Sequence, residues 1–292
     1  MPSSIVTPPI SELDPTPQVD STSLLDPTPD PTPDPTPDPE SDHDTSEAIY
    51  PDPAKVPPYV AFVEASSLKP GDRESVGQVE VEIVRMTADH VEWWHDTMQP
   101  MIKASSELES RADAKWNWIK NFNLLNVHNL GHLSTRSAHP AFGLTMIAPN
   151  AAGEPVPVGM MTLVPRYLCN SDRFGSKTYT WFVSSAPESF YREYFKKLKL
   201  HGVGKALFDA AIIASYRAGL DGSLLLHAAP EGGKELVRLY EGMGFKSIGS
   251  RLLPVTLFRW IDRKGYMLLQ AKAAARIIKR NDGYRRKGYV AD

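Results

Sequence analysis

The stretch His201-Gly202-Val203-Gly204-Lys205 has the residue types and spacing for anion chemistry. Its two glycines precede a segment, Lys205 to Leu220, whose apolar spacing predicts a helix. Small residues at such a turn let a phosphate approach the backbone, and the first-turn N–H groups and the helix dipole point at it. Lys199 and Lys205 flank the turn and add positive charge. Downstream, the short apolar run Ser223 to His227 reads as a strand, and a second helical segment ends in Leu239-Tyr240-Glu241-Gly242-Met243-Gly244-Phe245. His227, closing that strand, is a side chain type that exchanges protons near neutral pH. Glu188, just past the strand that leads toward the turn, is a second candidate base.

Two common phosphate motifs do not fit. A Walker A loop needs a glycine where this chain has Lys199, and a Ser or Thr for magnesium where it has Ala206. The dinucleotide fingerprint needs a third small residue where it has Leu207. The spacing instead resembles the acyl-CoA loop of the GCN5-related N-acetyltransferase (GNAT) superfamily, Gln/Arg-x-x-Gly-x-Gly/Ala, which here reads Lys199-Leu200-His201-Gly202-Val203-Gly204. Lys199 replaces the usual Gln or Arg, keeping a donor but losing the amide or guanidinium fork. Leu239 to Phe245 is similar to the family's Leu-Tyr-Glu-x-x-Gly-Phe at every fixed position, and Gly233 stands where an Asn is often found. The resemblance covers roughly residues 78–250.

That resemblance implies an α/β fold with a mixed, mostly antiparallel central sheet flanked by helices. It implies acetyl-CoA as co-substrate, with Lys199, His201, Gly202, Val203, Gly204 and Lys205 forming the pyrophosphate loop. It also implies that Phe182, Val183 and Ser184 splay from the neighbouring strand and offer backbone groups to the pantetheine arm. A backbone N–H near Val183 would polarise the acyl carbonyl, and Tyr240 would contact the sulfur and act as general acid. The base is His227 or Glu188, working directly or through water.

The elements that must position these groups are legible in part. Gln78 to Val84 alternates apolar and polar residues, as a half-buried strand does. Asp89 is placed to cap a helix over about His90 to Glu107, and a second helical stretch runs from about Arg111 to Leu124. In the resembled family this helical pair shapes the acceptor site. Trp93, Trp94, Trp116 and Trp118 read as core or groove packing. Residues 126–140 read as a loop with His128, His132 and His139; Gly131 and the lack of a nearby Glu or Cys argue against a metal site. Ala141 to Ala148 and Val156 to Val164 form a hairpin, and Thr178 to Ser184 is the central strand. Ser185 to Leu200 is a longer connection than the family uses, either a lid or a packed insertion. Strands are expected near Lys246–Gly249 and Val255–Trp260, then a basic helix from Tyr266 to Arg280.

Charge divides the chain. Residues 1–54 hold 12 acidic side chains and no Lys or Arg; residues 251–292 hold 11 basic and 3 acidic ones, while the middle is nearly neutral. The first 58 residues contain 16 of the 26 prolines and tandem Asp-Pro-Thr-Pro units, so they read as an acidic disordered tail, a spacer or a docking ligand. Residues 59–77 read as a lead-in, 78–260 as the acetyltransferase domain and 261–292 as a basic extension. One cysteine, Cys169, fits a reducing cytoplasm and excludes an internal disulfide. No run of 18 apolar residues marks a membrane span, and the start lacks a secretory pattern. The expected activity is acetyl transfer from acetyl-CoA to a primary amine of a small molecule or protein. The basic end makes an RNA-directed enzyme, acting on an aminoacyl-tRNA, the first alternative. A non-catalytic acyl-CoA-binding or interaction protein is the second, and export as an effector is compatible with the tail.

Overall fold

Alternation and apolar runs build one sheet, and the helices cover its faces. The structure is a computed structural model, and it describes residues 59–68, 75–105, 111–135, 140–168, 175–248 and 265–286. The acidic tail, Cys169, His139 and the strand expected at Val255–Trp260 lie outside the described residues. Among the described residues, nine strands run in the order β6-β1-β2-β3-β4-β5-β7-β9-β8. Each neighbouring pair of them is antiparallel except β5 with β7.

The lead-in is itself a strand. β1 (Tyr59–Ser67) pairs with β2 (Ser75–Arg85) and buries Ala61, Val63 and Ala65. β2 buries Val81 and Ile83 and leaves Glu80 and Glu82 outside, as its alternation requires. The next helix begins at Thr87 rather than Asp89. Thr87 Oγ1 accepts from the His90 amide at 3.3 Å, and His90 Nδ1 accepts from the Thr87 amide at 3.3 Å. Asp89 lies in the first turn, where its charge complements the dipole. Burial holds the His90 imidazole below its ordinary pKa, which suits an accepting Nδ1. Helix α1 (Ala88–Trp93) passes through a π-helical turn (Trp94–Met98) into α2 (Gln99–Ala104), and Trp94, Met98 and Ile102 are fully buried.

The second helix is displaced from its expected place. Arg111 to Asn117 forms a 3-10 turn (Ala112–Lys115) and a short extended link. α3 then spans Trp118–Thr135 and so takes in residues 126–135 of the expected loop. Asn117 Oδ1 accepts from the Lys120 amide at 2.9 Å and starts the helix. Asn129 bonds both backbone groups of Ala141, at 2.7 and 2.8 Å, and ties the helix to β3. These anchors outweigh the roughly 1 kcal/mol that one interior glycine, Gly131, costs. His128 and His132 therefore share one helix; His128 packs edge-on to Trp181 at 6.4 Å. Among the described residues no group of three His, Cys, Asp or Glu is placed to hold a metal.

β3 (Phe142–Pro149), β4 (Pro155–Leu168) and β5 (Ser176–Ser185) form the centre of the sheet. The long connection after β5 is a packed insertion. α4 (Glu188–Tyr194) buries Phe190 and Tyr191, Phe195 follows them into the core, and β6 (Leu198–His201) pairs with β1 at the sheet edge. α5 (Val203–Arg217) then crosses β4 closely enough to demand a glycine there. A Cβ on Gly159 would lie 2.6 Å from Val203 Cγ1 and 3.1 Å from Leu207 Cδ1. Gly159→Ala is thus expected to destabilise the fold by about 1–3 kcal/mol, read by urea unfolding against wild type.

β7 (Leu224–His227) is followed by α6 (Gly233–Gly242) and β8 (Lys246–Ser247). The expected helix from Tyr266 is shortened by a strand, β9 (Tyr266–Leu269), which inserts between β7 and β8 with all four residues buried. A four-residue apolar run fits a buried strand as well as a helix turn, and an open sheet edge settles it as strand. α7 (Ala271–Asn281) keeps the helical remainder and packs Ala274 and Ile277 inward. Among the described residues no helix is long and apolar enough to cross a membrane.

Candidate active site

The parallel pairing of β5 with β7 stops early, and that break opens a cleft. Thr178, Tyr179 and Thr180 pair with Leu224, Leu225 and Leu226, and the ladder ends there. β5 runs on to Ser185, held on its other side by β4 through Phe182↔Thr162, Val183↔Met161 and Ser184↔Met160. Among the described residues, the β7-facing side of these last residues has no strand partner in the sheet. A cavity of about 250 Å³ fills the fork, with Val183 and Ser184 on one wall, His227 on another, Gly204 and Phe208 from α5 above, and Tyr240 from α6 across it. Phe182 has a different place. Its ring packs against Trp116 and Trp118, with centroids 5.1 and 6.4 Å away, and its amide donates to Thr162 Oγ1 at 3.1 Å.

The glycine turn meets this cleft at the start of α5. Gly202 is the residue before the helix, with φ 81 and ψ 10, a left-handed conformation cheap only for glycine. Its position supplies no side-chain cap, and the first bond made to Gly202 O comes from Ala206, at 2.9 Å. The amides of Val203, Gly204 and Lys205 therefore have no acceptor inside the helix. Gly204 lines the cleft, has no left-handed backbone, and a Cβ there would meet nothing within 4 Å. Neither conformation nor packing demands glycine at 204. Its effect is to leave the helix-start amides approachable.

The charged residues near the turn are distributed unevenly. Lys199, on β6, is paired with Glu188 at 3.4 Å, and His201 Nε2 lies 2.5 Å from Ser66 Oγ. His201, Gly202 and Lys205 border a second cavity of about 280 Å³, on the other side of α5, together with Glu64, Asp209 and Arg280. The two cavities are of similar size, and the fork is the one lined by candidate proton carriers, Tyr240 and His227. Lys205 makes no ion pair among the described residues.

Of the three candidate proton carriers, two reach the cleft. Tyr240 is half-buried against Phe208 and Phe245, with ring centroids at 6.0 and 5.8 Å. Burial, and then the negative charge of Asp113, push its hydroxyl up to about 12, so it holds its proton at neutral pH. His227 is 8% exposed, closes β7 and stands edge-on to Tyr266 at 4.7 Å. Glu188 is not among the cleft-lining residues. Its hydrogen bond to Arg192, at 2.5 Å, and the nearby Lys199 hold its carboxyl below the usual carboxylate range, which makes it a poorer base.

Sequence reading alone misses Arg111 and Asp113. Asp113 is 6% exposed; Arg111 grips its carboxylate through Nε and Nη2 at 3.0 and 2.7 Å. Arg111 Nη2 also donates to Ser185 O at 2.6 Å, and Ser184 Oγ hydrogen-bonds Asp113 Oδ2. Gln99 Nε2 donates to the carbonyls of Asp113 and Ala114, at 2.9 and 3.1 Å. Nothing local in Arg111-Ala112-Asp113 marks it, because its partners lie some seventy residues away in sequence.

No protein-family model matches the chain, and no curated protein matches it. Among solved structures, a tyrosine-to-phenylalanine variant of the toxin AtaT, bound to the C-terminus of the antitoxin AtaR and acetyl-CoA, is 11% identical, with 68% of this chain and 97% of that one covered and a TM-score of 0.35. AtaTR bound with acetyl-CoA is 11% identical with the same coverage and a TM-score of 0.33. The KacTA–DNA complex is 13% identical over 54% of this chain and 86% of that one, with a TM-score of 0.33. These are remote likenesses, from which neither activity nor substrate carries over.

Proposed function

We propose that this chain transfers an acetyl group from acetyl-CoA to a primary amine, as the resemblance of its glycine turn and its Leu-Tyr-Glu segment to the GNAT superfamily implies. The observation that carries the reading is the fork between β5 and β7, which opens onto the uncapped, glycine-led start of α5 and faces Tyr240. The missing Cβ at Gly204 and the three amides without helical acceptors fit a pyrophosphate. Acetyl-CoA supplies the activated acyl group as a thioester. The chain's residues do the rest by position and proton transfer. The start of α5 binds the anionic part, with Lys205 adding charge. The unpartnered side of Val183 and Ser184 orients the arm as a sheet edge orients an added strand. Tyr240 keeps a proton to give, and His227 is the cleft imidazole able to take one from the amine.

Calorimetry on wild type and Gly204→Glu tests this reading. Glutamate is a better helix former than glycine and its charge suits a helix start, so the melting temperature is expected to hold or rise slightly. The same charge stands where the pyrophosphate binds, so affinity for acetyl-CoA is expected to fall at least about tenfold, or 1.4 kcal/mol. Absence of acetyl-CoA and CoA binding in the wild type defeats the reading.

A further inference from the structure

We infer that Arg111 and Asp113 are a positioning pair that clamps the end of β5 and places an anion beside Tyr240. The inference rests on the acetyl-transfer reading above. Beyond Thr180, β5 has lost β7 as a neighbour, so its last residues need another restraint to hold a fixed shape. The 3-10 turn supplies it twice: the Asp113 carboxylate takes the Ser184 hydroxyl, and the Arg111 guanidinium takes the Ser185 carbonyl. The two side chains are locked to each other by a two-point ion pair, and Gln99 fixes the turn's own backbone. Every member is buried or nearly so, where such a network is stiff and sensitive to loss of one partner. The turn lies between α2 and α3, so the pair ties the helical layer to the strand that would hold the thioester arm.

The pair is also oriented. Burial raises both Tyr240 and Tyr191; on top of it, the Asp113 charge raises Tyr240 further, while the Arg111 charge works against burial at Tyr191. Among the described residues lining the cleft around Tyr240, the charged or titratable groups are Arg111 and Asp113 from the turn and His227 from β7; α5 and β5 line it with uncharged groups. Asp113 is thus the anion of that wall. It makes ionisation of Tyr240 harder without touching the reacting atoms.

The test uses the full chain with Asp113→Ala, Ser184→Ala, the double variant and Asp113→Asn. Amide hydrogen exchange at Val183 to Ser185 is expected to be faster in Asp113→Ala than in wild type. Acetyl-CoA affinity is expected to drop about tenfold in Asp113→Ala and in Ser184→Ala, with the double variant no weaker than the weaker single one, because the two act as one unit. Asp113→Asn keeps an acceptor for Ser184 but removes the charge and one of the two bonds to Arg111, so affinity is expected to fall less than in Asp113→Ala. In that variant the alkaline limb of kcat/KM is expected to move to lower pH, because the Asp113 charge no longer opposes ionisation of Tyr240. Wild-type exchange in Asp113→Ala, or wild-type affinity in the singles with an unmoved limb in Asp113→Asn, overturns the inference and leaves acetyl transfer standing. A wild type that binds no acetyl-CoA overturns the acetyl-transfer reading instead, and the exchange comparison still decides whether the pair clamps the strand.

Discussion

Tyr240→Phe is expected to lower kcat for acetyl transfer on the order of 100-fold or more, while acetyl-CoA affinity changes little. A positioned general acid contributes about 100- to 10,000-fold to proton-transfer chemistry, and phenylalanine removes only the proton and its oxygen. The ring contacts with Phe208 and Phe245 remain, so the variant is expected to melt within a few degrees of wild type. The pH profile separates this role from packing. With the hydroxyl pushed up to about 12, the acid form dominates at every pH below that value. Activity that depends on it is therefore expected to persist through about pH 10, where an ordinary tyrosine is already half ionised. Loss of activity would begin only as pH approaches the raised value. Steady-state kinetics with thiol detection, run from neutral to alkaline pH, checks both points. A Tyr240→Phe enzyme with wild-type kcat would remove the tyrosine from the chemistry and leave it a packing residue.

How much of this site is legible in the sequence follows from the range of the interactions involved. The glycine turn, the helix after it and the tyrosine segment are local patterns, readable because conformation and charge within a few residues decide them. The strand β2 is equally plain, since Val81 and Ile83 alternate with Glu80 and Glu82. β1 is not, because two of its three buried residues between Ala61 and Ala65 are alanines, a weak apolar signal. The α3 boundary escapes pattern reading because its anchors, Asn117 and Asn129, act through side chains that propensity does not weigh. β9 reads as helix because a four-residue apolar run carries no period of its own. The Arg111–Asp113 pair is invisible for the strongest reason. Its meaning comes from Ser184 and Ser185, which only the fold brings near. Glu188 misleads in the opposite way. It is close to the central strand in sequence, yet α4 turns it toward Arg192 and Lys199.

In the basic C-terminal stretch, one cation, Arg285, has a buried partner. Arg285 meets Asp209 of α5 through Nε and Nη2 at 2.8 and 2.9 Å, and Asn281 Nδ2 adds a third donor at 3.2 Å. Asp209 is 1% exposed, so its charge has almost no solvent to fall back on. Arg285 also donates to Ile278 O at 2.7 Å, and its backbone bridges to Ala61 of β1. One residue thus joins α5 and α7 through its side chain and β1 through its backbone. Arg285→Ala is expected to destabilise the protein by about 3–5 kcal/mol, because it strands a buried carboxylate. For a domain of this size that lowers the melting temperature on the order of 10 °C. Adding Asp209→Ala is expected to recover part of the loss, since the stranded charge goes with it, and a double-mutant cycle in guanidinium measures the coupling. A loss below about 1 kcal/mol in Arg285→Ala would mean the pair behaves as an exposed surface contact. The cation would then be available to an anionic ligand, as the sequence alone suggests.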